Sequence, residues 1–204
     1  MNAPITTPST TTTTARSRST DALDFTRPPA DFIDVGHSQL AYRVLGSGPD
    51  VVLVHGWPLF SATWRDVAPL LARNFRVHLF DLPGCGHTRS APDAPCGLRA
   101  HAETHGGAIA ALGLDRYALV AHDSGAVITR WLAVDNPQVS AVVVADSEIP
   151  EHRSPLLTML FAACATETSR KAMVMALRSR RLRRSIFGFG SCFHDRDRID
   201  GDFH

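Results

Sequence analysis

The chain has 204 residues, 44% of them hydrophobic, which suffices for a sizeable core in one large domain or a domain plus part of a second. Its formal charge of +1 gives no electrostatic reason to expect a nucleic-acid partner. Cys85, Cys96, Cys164 and Cys192 are scattered without a CxxC pair, so neither a zinc site nor a disulfide framework is indicated, and no metal or cofactor is expected. No run reaches the roughly 18 apolar residues that would span a bilayer, and the N-terminus lacks the apolar core of a secretory signal. Free thiols and these absences make a reducing, cytoplasmic setting without membrane partners the default expectation.

Residues 1–30 are rich in Thr and Ser and end in Arg27-Pro28-Pro29. Such a stretch buries too little apolar surface to offset its ordering entropy and reads as a tail, with an organellar transit segment as the alternative. The pattern changes at Phe32. Residues 32–35 and 39–45 form two short strand-like runs joined at Gly36-His37-Ser38, a predicted hairpin. Gly46-Ser47-Gly48-Pro49 then breaks the chain.

From there strands and helices alternate. Val51-Val52-Leu53-Val54-His55 is a continuous apolar run, as expected of a strand buried on both faces. Trp64, Val67, Leu70 and Leu71 predict a helix over 61–73, with Ser61 as a candidate N-cap. A strand over 77–80, a loop rich in Gly and Pro, and a helix over 98–112 follow. Strands over 117–121 and 141–145 flank a helix over about 124–135. The alternation predicts an α/β domain with a mostly parallel sheet and helices on both faces. After Asp146 it stops. Residues 149–204 hold helical stretches, a basic run from Arg178 to Arg184, and Phe187, Phe189 and Phe193. The basic run reads as a solvated helix face, with an anionic substrate or a membrane surface as the alternative.

The strongest chemical signal is a strand-turn-helix with Ala121-His122-Asp123-Ser124-Gly125 at the turn. A sharp elbow of this kind strains the backbone at its centre and needs small residues two positions before and after it. Centred on Asp123 those positions are Ala121 and Gly125, which fit. Centred on Ser124 they would be His122 and Ala126, and His122 is too bulky. An aspartate with an ordinary pKa of ~3.9 is ionised at neutral pH and can attack an sp3 carbon without a base. Asp123 could equally serve as the N-cap of the following helix.

His55-Gly56-Trp57-Pro58 follows the buried strand directly. Its glycine would let backbone N–H groups face developing negative charge, or the segment could be a plain tight turn. Asp81-Leu82-Pro83-Gly84-Cys85-Gly86-His87-Thr88 reads as a structural loop at the same sheet edge. All three segments follow the C-terminal end of a parallel strand, where open α/β sheets carry their sites.

In this order the three segments resemble the α/β-hydrolase superfamily, and within it the epoxide hydrolase and haloalkane dehalogenase branch, over residues 32–150. The resemblance implies a sheet of the α/β-hydrolase type, with core residues 31–148 and an incomplete helical lid beginning at 149. It implies a small-molecule substrate, Asp123 as nucleophile, and the backbone N–H groups of Trp57 and Ser124 as oxyanion hole. Asp146 would be the acid that orients a catalytic histidine, or otherwise a structural loop acid; Glu148 is less well aligned. Haloalkane dehalogenases place Trp after the nucleophile, where this chain has Ser124. Epoxide hydrolases use lid tyrosines, whereas Tyr42 and Tyr117 precede the lid. None of the ten histidines has the context of the family's base: His55 and His122 shape loops, and His194 and His204 lie in the lid region. The expectation is therefore a C-terminally truncated hydrolase. The alternatives are a serine esterase using Ser124 and an inactive remnant acting as an interaction module. The oligomeric state is left open.

Overall fold

The computed structural model describes residues 23–147 and 165–185, apart from the side chain of Leu177, with isolated positions in 155–162 and 188–199. Most of 148–164 and 186–204, including Glu148, Phe187, Phe189, Phe193, His194 and His204, lies outside the described residues, as do residues 1–22.

A seven-stranded sheet forms the body of the domain. Its strands are β1 (Asp31–Asp34), β2 (Ser38–Leu45), β3 (Asp50–Val54), β4 (Arg76–Phe80), β5 (Arg89–Ser90), β6 (Tyr117–His122) and β7 (Val139–Ala145). Across the sheet the order is β1-β2-β4-β3-β6-β7, with β5 paired to β2. The predicted hairpin forms β1 and β2, which run antiparallel with Phe32 opposite Ala41. From β4 to β7 every pairing is parallel. Strand β5 has only two residues, too few for any periodicity to announce it.

The α-helices whose bounds fall among the described residues are α1 (Ala68–Leu71), α2 (Leu98–Ala111), α3 (Gly125–Ala133), α4 (Glu167–Arg178) and α5 (Arg180–Arg183). The helix expected over 61–73 is broken into a 3-10 turn, Ser61–Trp64, and the four-residue α1. Pro69 in the first turn of α1 explains the restart, because its missing N–H is tolerated only there. Ser61 is not an N-cap. Phe60 holds that position, and the Ser61 hydroxyl and N–H both donate to Asp81.

Two apolar clusters fill the two faces of the sheet. One gathers Val52, Val54, Phe80, Leu119, Ile109 and Ile128 under α2 and α3. The other gathers Leu53, Val77, Leu79 and Trp64 beneath the 3-10 turn and α1. At the end of β3 where it begins, Tyr42, His78, Asp50 and Arg76 form one polar chain, with Tyr42 Oη 2.8 Å from His78 Nδ1 and His78 Nε2 2.7 Å from Asp50 Oδ1. Arg76 pairs with the same carboxylate, so β2, β3 and β4 are tied together at the end opposite the elbow.

Residues 23–27 dock on this body although their composition groups them with the tail. Phe25 is buried, and Arg43 donates to the backbone carbonyls of Asp24 and Arg27. Phe25 supplies the apolar surface that the Thr-rich stretch lacks. No helix among the described residues is long and apolar enough to cross a membrane.

Candidate active site

Strands β3 and β6 lie side by side, with Val54 opposite Ala121, so the chain leaves both at the same edge of the sheet. From β3 it enters His55-Gly56-Trp57-Pro58, and from β6 it turns through Asp123 into α3. Asp123 has φ of +54°, a left-handed conformation that costs a non-glycine residue of order 1–2 kcal/mol. Ser124, with φ of −61°, is already helical. The strained centre is thus Asp123, as the small flanking residues predicted.

Gly125 and Gly56 make this turn sterically feasible. A Cβ on Gly125 would lie 2.5 Å from the carbonyl oxygens of Val54 and His55. A Cβ on Gly56 would lie 2.2 Å from Asp123 Oδ2. The first glycine lets α3 rest on the end of β3. The second leaves room for the carboxylate, which sits against bare backbone.

Ser124 links the two segments. The Trp57 N–H donates to Ser124 Oγ at 2.8 Å, and the Ser124 hydroxyl reaches Asp123 Oδ2 at 3.4 Å. Burial raises the Asp123 pKa above the usual carboxylate range, opposed by the Ser124 N–H and by nearby His122. Asp123 N–H donates to Ala145 O at 3.2 Å, which brings the end of β7 beside the elbow. There Asp146, with φ of +48° and its side chain 92% exposed, places Oδ2 3.7 Å from His122 Nε2. No imidazole hydrogen-bonds the Asp123 carboxylate among the described residues.

His55 is wholly buried and both its ring nitrogens are engaged. Nε2 accepts from the Leu82 N–H at 2.9 Å, which leaves the proton on Nδ1, 3.0 Å from Gly56 O. Burial lowers its pKa, so this ring is a neutral brace for the loop. Asp81 is equally buried and accepts from the N–H groups of Ser61 (3.0 Å) and His87 (2.8 Å). These bonds tie residues 81–88 to the 3-10 turn that follows β3.

Sequence reading missed His101 and His105 on α2. His105 is fully buried with neither ring nitrogen hydrogen-bonded, and burial depresses its pKa to about 3. Its spacing from Ala102, Ala108 and Ile109, all buried, was the available signal. The His101 pKa is also lowered by burial. No group of three or more potential ligands could hold a metal ion among the described residues.

A strained acidic elbow at the carboxyl ends of parallel strands, braced by a glycine turn from the neighbouring strand, defines an α/β-sheet site of the hydrolase class. The chain belongs to the alpha/beta hydrolase fold family, whose profile matches residues 49–183. It is 36% identical over 104 residues to the pimeloyl-[acyl-carrier protein] methyl ester esterase of Aeromonas hydrophila subsp. hydrophila, covering 50% of this chain and 39% of the relative. It is 38% identical over 119 residues to a fluoroacetate dehalogenase of a Burkholderia species, covering 56% of this chain and 39% of the relative. The chain therefore spans about two-fifths of the length of these curated relatives.

Two solved structures are similar over most of the described fold. A Pseudomonas aeruginosa protein assigned as an epoxide hydrolase matches with a TM-score of 0.56 at 29% identity, over 65% of this chain and 47% of that one. Haloalkane dehalogenase DbeA from Bradyrhizobium elkani USDA94 matches with a TM-score of 0.62 at 28% identity, over 70% and 52%.

Proposed function

We propose that Asp123 is the nucleophile of a hydrolase that opens epoxides or related small apolar electrophiles through a covalent alkyl-enzyme ester. The observation that carries this reading is the left-handed backbone at Asp123, with its carboxylate resting on the bare Gly56 backbone. Asp135, at the end of α3, has the same φ, but only at Asp123 does the strained residue hold its carboxylate against a bare glycine backbone at the carboxyl ends of the parallel strands. The carboxylate attacks an sp3 carbon, an ester bond forms, and the bond to the leaving atom breaks. Water attack at the ester carbonyl would then develop negative charge, for the N–H groups of Trp57 and Ser124 to stabilise. Trp57 must first release Ser124 Oγ. His122 and Asp146 stand at the rim, where Asp146 is the candidate for orienting a base.

Intact-mass analysis after incubation with 1,2-epoxybutane tests the assignment. An adduct of one epoxide mass is expected on Asp123, and it should persist because no imidazole reaches that carboxylate among the described residues. Asp123→Asn should abolish it. An adduct that survives this change, or none in the unmodified chain, overturns the reading.

The similarity to a methyl ester esterase favours one second reading, with Ser124 as an acyl-accepting nucleophile. It predicts labelling of Ser124 by an organophosphonate. Against it stand the helical φ of Ser124 and the engagement of its oxygen by the Trp57 N–H.

A further inference from the structure

The Ser124 hydroxyl is a hydrogen-bond donor whose oxygen already accepts one bond and whose proton is scarcely used among the described residues. Its oxygen takes the Trp57 N–H at 2.8 Å, an ordinary strong bond. Among the described residues its own proton has only Asp123 Oδ2, at 3.4 Å, well beyond the usual 2.5–3.0 Å for an O–H donor. A hydroxyl that accepts one bond becomes a better donor of the next, because successive bonds in a chain polarise one another. Trp57 N–H and Ser124 Oγ thus form a two-link relay that ends beside the attacking carboxylate.

In an in-line displacement the departing atom lies about 4–5 Å from the attacking oxygen, since nucleophile, carbon and leaving atom are collinear. An atom about 4.5 Å from Asp123 Oδ2, in the middle of that range, lies about 3 Å from Ser124 Oγ when the angle at Oγ is near a right angle, given the 3.4 Å separation. On the reading of Asp123 as nucleophile, we infer that Ser124 selects the leaving atom: the relay from the Trp57 amide through the Ser124 hydroxyl favours the compact oxygen of an epoxide over a large, weakly accepting halide. The Asp123 oxygen forms the new C–O ester bond while the strained C–O bond of the epoxide breaks. The electron pair stays on the epoxide oxygen, which the Ser124 O–H holds as an alkoxide until solvent water protonates it.

The test is the rate of adduct formation on the intact chain, followed by mass, with 1,2-epoxybutane and with 1-bromobutane. Ser124→Ala should slow the epoxide reaction by about 100-fold, as for loss of one oriented donor, and the bromide reaction by no more than about 3-fold. Ser124→Thr, which keeps the hydroxyl, should recover most of the epoxide rate. Hydrogen exchange gives a readout free of chemistry, since Ser124→Ala should remove the protection of the Trp57 amide. Equal slowing of both reagents, no slowing of either, failure of Thr to rescue, or an unchanged Trp57 amide each overturns the selection by Ser124 and leaves Asp123 in place. Adducts that survive Asp123→Asn, or are absent altogether, overturn the nucleophile itself and this inference with it.

Discussion

Strand β3, Asp50-Val51-Val52-Leu53-Val54, and strand β7, Val139-Ser140-Ala141-Val142-Val143-Val144-Ala145, are both rich in valine and both run parallel to β6. Their surroundings are opposite. Val52, Leu53 and Val54 have no exposed surface, because β4 and β6 flank them and an apolar cluster lies on each face. Val142, Val143 and Val144 are 42%, 54% and 38% exposed, and β7 pairs only with β6 among the described residues. A β-branched run states that a segment suits a sheet. Its depth in the sheet depends on which other segments find it. The elbow sits between these extremes: its strand β6 is flanked on both sides, and the last residue of β7, Ala145, lies opposite His122 and accepts the Asp123 N–H.

The contrast can be broken most forcefully at its buried end. Val52→Asp would place a carboxylate where no water or partner reaches it, and should cost about 4 kcal/mol or more, enough to unfold the domain in a urea titration. Gly125→Ala tests the junction of β3 with α3. Its new methyl would strike the Val54 and His55 carbonyls, and a loss of about 2–3 kcal/mol in the same titration is expected.

His105 sharpens the comparison through pH. Its pKa lies near 3 in the fold, against about 6.5 in the unfolded chain. Between those values the unfolded chain binds a proton that the folded one refuses. The contribution is therefore intact above pH 6.5 and is lost as pH falls towards 3. Unfolding of the unmodified chain at pH 5 should be easier than at pH 8 by about 2 kcal/mol from this residue. His105→Leu should flatten that difference; an unchanged pH slope would show that His105 is not the buried group responsible. The smallest effect belongs to the open edge. Val143→Lys should shift stability by no more than about 0.5 kcal/mol. Because charge on an unpaired strand discourages edge-to-edge association, it should also reduce the sedimentable fraction on storage.

Much of the fold was legible because periodicity and breakers are local properties. The hairpin at Gly36, the parallel strands, α2 and α3 all lie within a few residues of where their apolar patterns predict. The helix expected over 61–73 was not legible as two pieces, since its apolar spacing continues through Pro69 while the backbone does not. His105 was hidden for a different reason. Its spacing puts it in line with Ala102, Ala108 and Ile109, but a polar ring outweighs that signal on sequence alone, and the packing of α2 beside Phe80 is what buries it, with the two rings 5.5 Å apart.

The elbow divides in the same way. The small residues at Ala121 and Gly125 determined by themselves that Asp123, and not Ser124, carries the strain, because steric exclusion at a sharp turn acts over two residues. The run of apolar residues likewise determined that β3 would be a strand. Only tertiary structure decided that Gly56 would open the space for the carboxylate, that His55 would be a neutral brace, and that Ser124 would join the Trp57 amide to Asp123. Those relations connect residues 27 to 67 positions apart, and contacts across such separations form only once the sheet has set β3, β4 and β6 side by side.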